Sequence, residues 1–419
     1  MRSKRYLTIN CIIRKNQIET TRSQWVGHDE TQKHDVPTIR KLEQMIRQGF
    51  PEARITWAFS WGALMDQSER YQQIRALIKE WHETLGDEIT FIPGGYFSNR
   101  YNTRDQINQD FTEAFNVIEK WIGHRPKSVV AGFLAAENLK YLAEKEDVHV
   151  VQGNIWSQYA IDNQDGDGSI AYPYYPSTEH FCKAAQGPQD FIDCVNLDGW
   201  TVNFFHARIY GKKGKWNNSR VGIGPIETLQ NLGPTDGLKE LQVNTNAHFV
   251  ESMPYNPFTW LTVAIEAALV HEIPSLSKIT DWLRWMKQQW PDTVCPTMLE
   301  FGSEFRQQYP NNDTISYELH QSGSGMGPAK KGEEIIWFMN KTFRLGIHRN
   351  KRGKQTIFDF TRYSQHYSEP QKLGERNWGL VDLINQKGIR KQDKPIPVEK
   401  CLWKSEINEI LMKKYNKTI

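Results

Sequence analysis

Charge of one sign is the first thing this chain lacks. Its 419 residues carry 52 basic and 49 acidic side chains, a net charge of +3, which gives no footing for nucleic acid as a partner. A run of about 18 apolar residues is also missing, so no membrane span is expected. Cysteine is scarce. None of Cys11, Cys182, Cys194, Cys295 and Cys401 pairs at a metal-ligand spacing, and an odd count argues against a disulfide framework. Cys182 and Cys194 could close a loop of about a dozen residues, but free thiols are the commoner state. No strand runs into a GxGxxG or GxxxxGK[ST] loop, which removes the main support for a nucleotide-binding open sheet. Internal repeats and low-complexity tracts are absent from the sequence.

What the chain does have is aromatic side chains, 15 Trp, 16 Tyr and 19 Phe. Many flank Gly, Asn and Pro rather than sitting in periodic apolar runs. Two readings stand side by side, a large aromatic core and a cleft lined with flat faces of the kind that sugars stack on. With 38% apolar and 24% charged residues a sizeable core is within reach and wholesale disorder is not expected.

Short apolar runs alternate with amphipathic stretches. "RYLTINCII" (5–13), "RITWAFS" (54–60), "EITFIPGG" (88–95), "KSVVAGF" (127–133) and "VHVVQGN" (148–154) read as strands. Between them, 35–50, 68–86, 103–123 and 136–145 read as helices, with Asp35 and Thr103 as caps and Gly49 and Gly86 as terminators. That alternation implies parallel strands and helical crossovers, and without phosphate loops a barrel is favoured over an open sheet. Residues 155–200 read as an irregular excursion, 200–208 as a strand, and 256–272, 275–290 and 297–310 as helices. After Pro310 the pattern turns β-rich. The expectation is an α/β chain, a distorted (β/α)7-type barrel over 1–310 followed by a smaller antiparallel β domain over 311–419, ending in a short helical tail.

"MRSKRYLTINCII" mimics a signal peptide, basic then apolar, but its apolar part is short, alternates with polar residues and lacks a cleavage site, so it reads as a strand. An exported protein whose leader had been trimmed would begin the same way. The compartment stays open between periplasmic and cytoplasmic.

The stretch "IPGGYFSNRYNTRDQINQDFTEAFNVIEKWIGHRPKSVVAGF" places a strand and loop before a long helix, then the G-x-x-P turn Gly123-His124-Arg125-Pro126, then the next strand. With the order of elements over the first 160 residues, it resembles the polysaccharide deacetylase (NodB-like) barrel of the glycoside hydrolase/deacetylase superfamily. The whole chain, including "IIWFMNKTFRLGI" and "RNWGLVDLINQKG", is similar to a group of two-domain proteins of gut Bacteroidetes, a likeness that carries no established activity. The departures bear on chemistry. Where the deacetylases carry paired aspartates after strand one, this chain has Asn10-Cys11. Where they carry HxxxH after strand three, it has "PGGYFSNRY", and in place of Arg-x-Pro-x-Gly after strand four it has "AGFLAAE". The resemblance therefore implies the fold and weakens the deacetylase activity, and no zinc ligand set carries over. No cofactor is expected, and a divalent metal has no motif behind it.

In a parallel barrel the chemistry sits at the C-terminal ends of the strands. That rule selects Arg14, Arg22, Trp25, His28 and Asp29 after strand one, Trp61 after strand two, Tyr96 after strand three, Glu137 after strand four, and Asn154 and Trp156 after strand five. His206 and Arg208 follow in "NFFHAR", and Glu251 in "NAHFVES". "WVGHDETQKHD" (25–35) is open to three readings: a metal centre, an acid/base or substrate contact, and a polar loop in which Asp35 caps the next helix. Glu137 can complement a helix dipole or act in catalysis. Glycoside hydrolysis needs two carboxylates, about 5 Å apart for retention or roughly 6.5–9.5 Å for inversion. Asp29 with Glu137 is the first candidate pair, with His28 beside it and Glu251 as the substitute. Arg14, Trp25, Trp61, Tyr96, Asn154, Trp156, His206 and Arg208 are the candidate substrate contacts. "DNQDGDG" (162–168) reads as a tight polar turn rather than a calcium loop, and "GKKGKWNNSR" (211–220) as a solvated basic loop.

These residues point to a carbohydrate-active protein with an oligo- or polysaccharide ligand, hydrolysing a glycosidic bond with paired carboxylates. The rival readings are a non-catalytic glycan-binding protein on a degenerate barrel and a metal-dependent deacetylase with relocated ligands. The glycan, its linkage and the oligomeric state are not encoded in any motif.

Overall fold

A computed structural model describes residues 4–94, 98–154, 172–198, 203–210, 224–273, 275–375, 378–380, 382–385 and 395–419. The first strand, β1 (Lys4–Ile13), leads into a small hairpin of β2 (Asn16–Glu19) and β3 (Trp25–Asp29). Then α1 (Val36–Gly49), β4 (Thr56–Ser60), α2 (Trp61–Met65), α3 (Glu69–Leu85) and β5 (Glu88–Ile92) follow. They are succeeded by α4 (Ser98–Tyr101), α5 (Arg104–Ile122), β6 (Ser128–Val130), α6 (Ala136–Lys145), β7 (Val150–Asn154) and β8 (Val195–Asp198). The first domain closes with α7 (Pro225–Asn246), β9 (Phe258–Glu266), α8 (Ser277–Gln289) and α9 (Met298–Gln308).

The larger sheet has seven strands, all parallel, in the order β8-β7-β6-β5-β4-β1-β9, curled into a distorted barrel wall with helices outside. Every residue of β4 and β5 is buried, the mark of strands covered on both faces. The helices form where the caps predict. Asp35 Oδ1 accepts from Thr38 N at 2.8 Å to start α1, and Thr103 Oγ1 from Gln106 N at 3.2 Å to start α5. Gly86 and Gly123 end α3 and α5 in the left-handed region at φ 75° and 91°.

The second domain is antiparallel. Its strands β10 (Ser316–Ser322), β11 (Glu334–Asn340), β12 (Phe343–Arg349) and β13 (Gln355–Arg362) form a meander, with β14 (Ile384–Asn385) and β15 (Ile396–Pro397) both pairing β13. The pleat sends Ile335, Trp337 and Met339 into the core shared with the barrel. Phe338, Leu345 and Ile357 face the other way, onto Ile407 and Leu411 of α10 (Lys404–Tyr415). Arg344 and Asp359, both fully buried, form a two-pronged ion pair inside this sheet at 2.9 and 2.6 Å.

Two expected elements differ. Residues 258–266, expected to be helical, form β9, paired with β1 from Lys4↔Phe258 to Ile12↔Glu266. Aromatic and β-branched residues in "FTWLTVAIE" fit a strand buried on both faces, a pattern with no clean period to separate it from a buried helix. Residues 205–208, expected to end the strand 200–208, belong instead to a π-helical turn over 205–210. Asn203 there donates to Glu240 at 2.7 Å and Phe204 N to Gln321 at 2.8 Å, so tertiary contacts with α7 and β10 override local preference. All five cysteines are free and buried, Cys182 and Cys194 included. Among the described residues no helix is long and apolar enough to cross a membrane.

Candidate functional site

Just beyond the C-terminal end of β1 the chain turns into the β2–β3 hairpin, and β4 runs directly into α2. A cavity of about 390 Å³ lies between them. Glu19 ties its two walls together. Its carboxylate accepts from Ser60 Oγ at 2.6 Å and Gly62 N at 2.8 Å on one side, and from Lys15 N at 2.8 Å on the other. Ser60 also caps α2, which places Trp61 at the first helical position, on the cavity wall. Arg22 lies over the Trp61 indole, 3.9 Å from the ring centroid, and is held by Asp110 at 2.5 Å and Glu113 at 2.6 Å on α5.

The hairpin supplies the opposite wall. The register of the hairpin shifts between the pairs Ile18↔Val26 and Asn16↔Asp29, a bulge in β3 at Gly27 that interrupts the strand's alternation. Trp25 and Asp29 line the cavity, and the Trp25 indole is 56% exposed. Gly27, between them, sits at φ +92°, and a Cβ there would come within 2.2 Å of Gln17 Oε1. Lys15 and Asp66 complete the polar lining as an ion pair at 2.6 Å.

Two of the lining carboxylates, Asp29 and Asp66, are held in their ionised form. Hydrogen bonding to Thr31, whose N–H donates to Asp29 Oδ1 at 2.8 Å, holds Asp29 below the usual carboxylate range. Partial burial opposes the same effect at Asp66, yet hydrogen bonds from Lys15 and Ser68 pull it down to about 2. Asp29 has no salt-bridge partner among the described residues. The cavity thus offers exposed indole, carboxylate acceptors and an ammonium, which suits a polar ring molecule with one flatter face.

The remaining candidates are dispersed. Arg14 is buried and chelated, by Glu30 at 2.7 and 3.0 Å and by Glu266 at 3.0 and 2.7 Å. His34 is fully buried, and burial followed by the Arg14 charge drives it down to about 4. Glu137 is exposed in the first turn of α6, 3.3 Å from Arg104, and is not part of the cavity lining. Glu251 precedes β9, close to Phe249, whose carbonyl accepts from Arg5 at the start of β1. Asp29 lies past the other end of that strand, so the length of ten residues of β1, about 30 Å, separates the two carboxylates. His206 is buried 3.6 Å from Glu240. Tyr96 and Trp156 lie outside the described residues, as do the side chains of Asn154 and Arg208 and the stretches 162–168 and 211–220. Lys15, Glu19 and Asp66 were not singled out from the sequence. The strand-end rule reaches all three, but nothing local distinguishes them from other polar loop residues.

The metal site of the resembling deacetylases does not fit these residues. Asn10 donates its amide to Gln152 Oε1 at 2.9 Å within the core, and Cys11 is fully buried with its thiol pushed up by burial. Among the described residues no three His, Cys, Asp or Glu side chains converge as a ligand set.

The seven-stranded parallel wall has the barrel architecture of the glycoside hydrolase/deacetylase superfamily. Residues 1–339 match a domain of unknown function with a solved structure, DUF3863, and residues 344–418 match a second, DUF3864. The chain belongs to the DUF3863 family. It is 39% identical to a proposed glycoside hydrolase/deacetylase of Parabacteroides distasonis, at a TM-score of 0.91 over 99% of this chain and 98% of that one. A Puue allantoinase shares the fold at 10% identity and a TM-score of 0.50, over 74% of this chain and 92% of that one. No protein of curated function matches the sequence.

Proposed function

We propose that this is a carbohydrate-active protein whose cleft, between the β2–β3 hairpin and α2, binds an oligosaccharide. The observation that carries the reading is the convergence of Trp25, Trp61 and Asp29 on one cavity at the C-terminal mouth of the barrel. Sugar rings stack their C–H faces on indole and give hydroxyl protons to carboxylates, and this lining offers both. The description of the Parabacteroides relative as a proposed glycoside hydrolase/deacetylase supports the same class of ligand.

Binding is better supported than hydrolysis by the carboxylates considered. A glycosidase needs a protonated carboxyl facing an ionised one across the scissile bond. Asp29 and Asp66 are both held ionised, Glu137 is outside the lining, and Glu251 is a strand length away. Asp29 suits the ionised role of such a pair or a simple hydroxyl acceptor. The test is an oligosaccharide array read by binding, followed by a reducing-sugar assay on whichever glycans bind. Retention of a defined set of glycans supports the proposal, and retention of none contradicts it.

A further inference from the structure

Two cations and three carboxylates line the cleft, and both cations are occupied. Lys15 Nζ is on Asp66 at 2.6 Å. Arg22 is gripped by Asp110 and Glu113 and has its face against Trp61. Glu19 and Asp29 have no salt-bridge partner among the described residues. Glu19 is buried and held by hydroxyl and amide donors, whereas Asp29 is on the exposed hairpin and lines the same cavity as Trp25. A sugar in the cleft would therefore meet a carboxylate without a salt-bridge partner, while Lys15, whose charge acts on Asp29 through space, is already paired with Asp66.

From this we infer that the cleft selects by charge, accepting an uncharged oligosaccharide and rejecting the same sugar bearing a carboxylate or sulfate, with Asp29 as the residue that sets the preference. The inference rests on the glycan-binding reading and deepens it. Like charges at contact distance repel, and the repulsion is screened by salt.

The experiment uses the full chain and matched probes: cello-, manno- and galacto-oligosaccharides, each beside its C6-oxidised uronate form, titrated calorimetrically. For whichever backbone binds, the neutral form is expected to bind at least about tenfold more tightly than the uronate. The ratio should shrink in about 0.5 M NaCl. It should shrink again in Asp29→Asn, which keeps the shape and removes the charge. Equal binding of the two forms, or a ratio indifferent to both salt and Asp29→Asn, overturns the charge selection and leaves glycan binding standing. Binding of uronates only also overturns it. Binding of no probe in either form overturns the glycan reading and this inference with it.

Discussion

Trp25 is half-exposed on a hairpin whose β3 residues are all exposed, so its indole contributes little to folding. Trp25→Ala should change stability by less than about 0.5 kcal/mol while weakening glycan binding about tenfold, a contrast that a melting curve and a titration resolve together. Arg14 should behave in the opposite way. Its guanidinium neutralises two carboxylates, Glu30 and Glu266, at least one of which is buried. Arg14→Ala strands both and should cost about 3–5 kcal/mol in urea denaturation. A substrate-contact residue would instead lose affinity and keep its stability. Arg14 was selected from the sequence because it follows the first strand. Position alone does not reveal whether a cation will meet ligand or be chelated by carboxylates 16 and 252 residues further on.

At the scale of elements, the β2–β3 hairpin is the device that forms the cleft. Gly27, at the bulge inside β3, adopts a φ that side-chain-bearing residues avoid. Gly27→Val should displace Trp25 and Asp29 together. The expected result is lost glycan binding with a nearly unchanged melting temperature, and retained affinity would show that the hairpin is not a wall of the site. The five parallel strands with their four intervening helical crossovers, the helix caps and the antiparallel second domain were legible from periodicity and turn chemistry. β9 was not, because a strand buried on both faces shows neither the period of two nor that of 3.6 that separates strand from helix. The π-helical turn at 205–210 escaped for a related reason, since contacts from Glu240 and Gln321 decide it. The candidate cleft was half legible. Trp25, Asp29 and Trp61 follow from the strand-end rule, whereas Glu19 and Asp66 acquire meaning only once the hairpin folds against α2.

Across the whole molecule, one aromatic-rich core runs from the barrel into the second domain through Tyr317, Trp337 and Trp378. Glu369 reaches from the second domain to accept from Ala136 N at 2.9 Å and Phe181 N at 2.7 Å, capping α6 of the barrel. Glu369→Gln would turn an amide donor toward one of those N–H groups, and should cost about 1–3 kcal/mol. Protonation acts on the same balance. Burial drives His180 down to about 3, and His34 and His248 down to about 4, so all three are neutral in the fold. Above their unfolded pKa, about 6.5, they do not affect the pH dependence. As pH falls below it the unfolded chain takes up protons that the folded one refuses. Each histidine then removes about 1.4 kcal/mol per pH unit until its folded pKa is reached. Glu369, raised by burial to about 7, works the other way, favouring the fold at low pH and losing that contribution as pH rises from about 4.5 to 7. The three histidines outweigh Glu369, so the contribution of these four groups to stability should fall from pH 6.5 to 5, measurable by urea denaturation at each pH. The central claim, however, is the cleft itself. Calorimetric titration of the wild-type chain and of the Trp25→Ala/Trp61→Ala variant, with the best-binding glycan of the array, tests it most directly. The account predicts a loss of at least about a hundredfold in affinity in a folded variant. Unchanged affinity in that variant would place glycan binding elsewhere and contradict it.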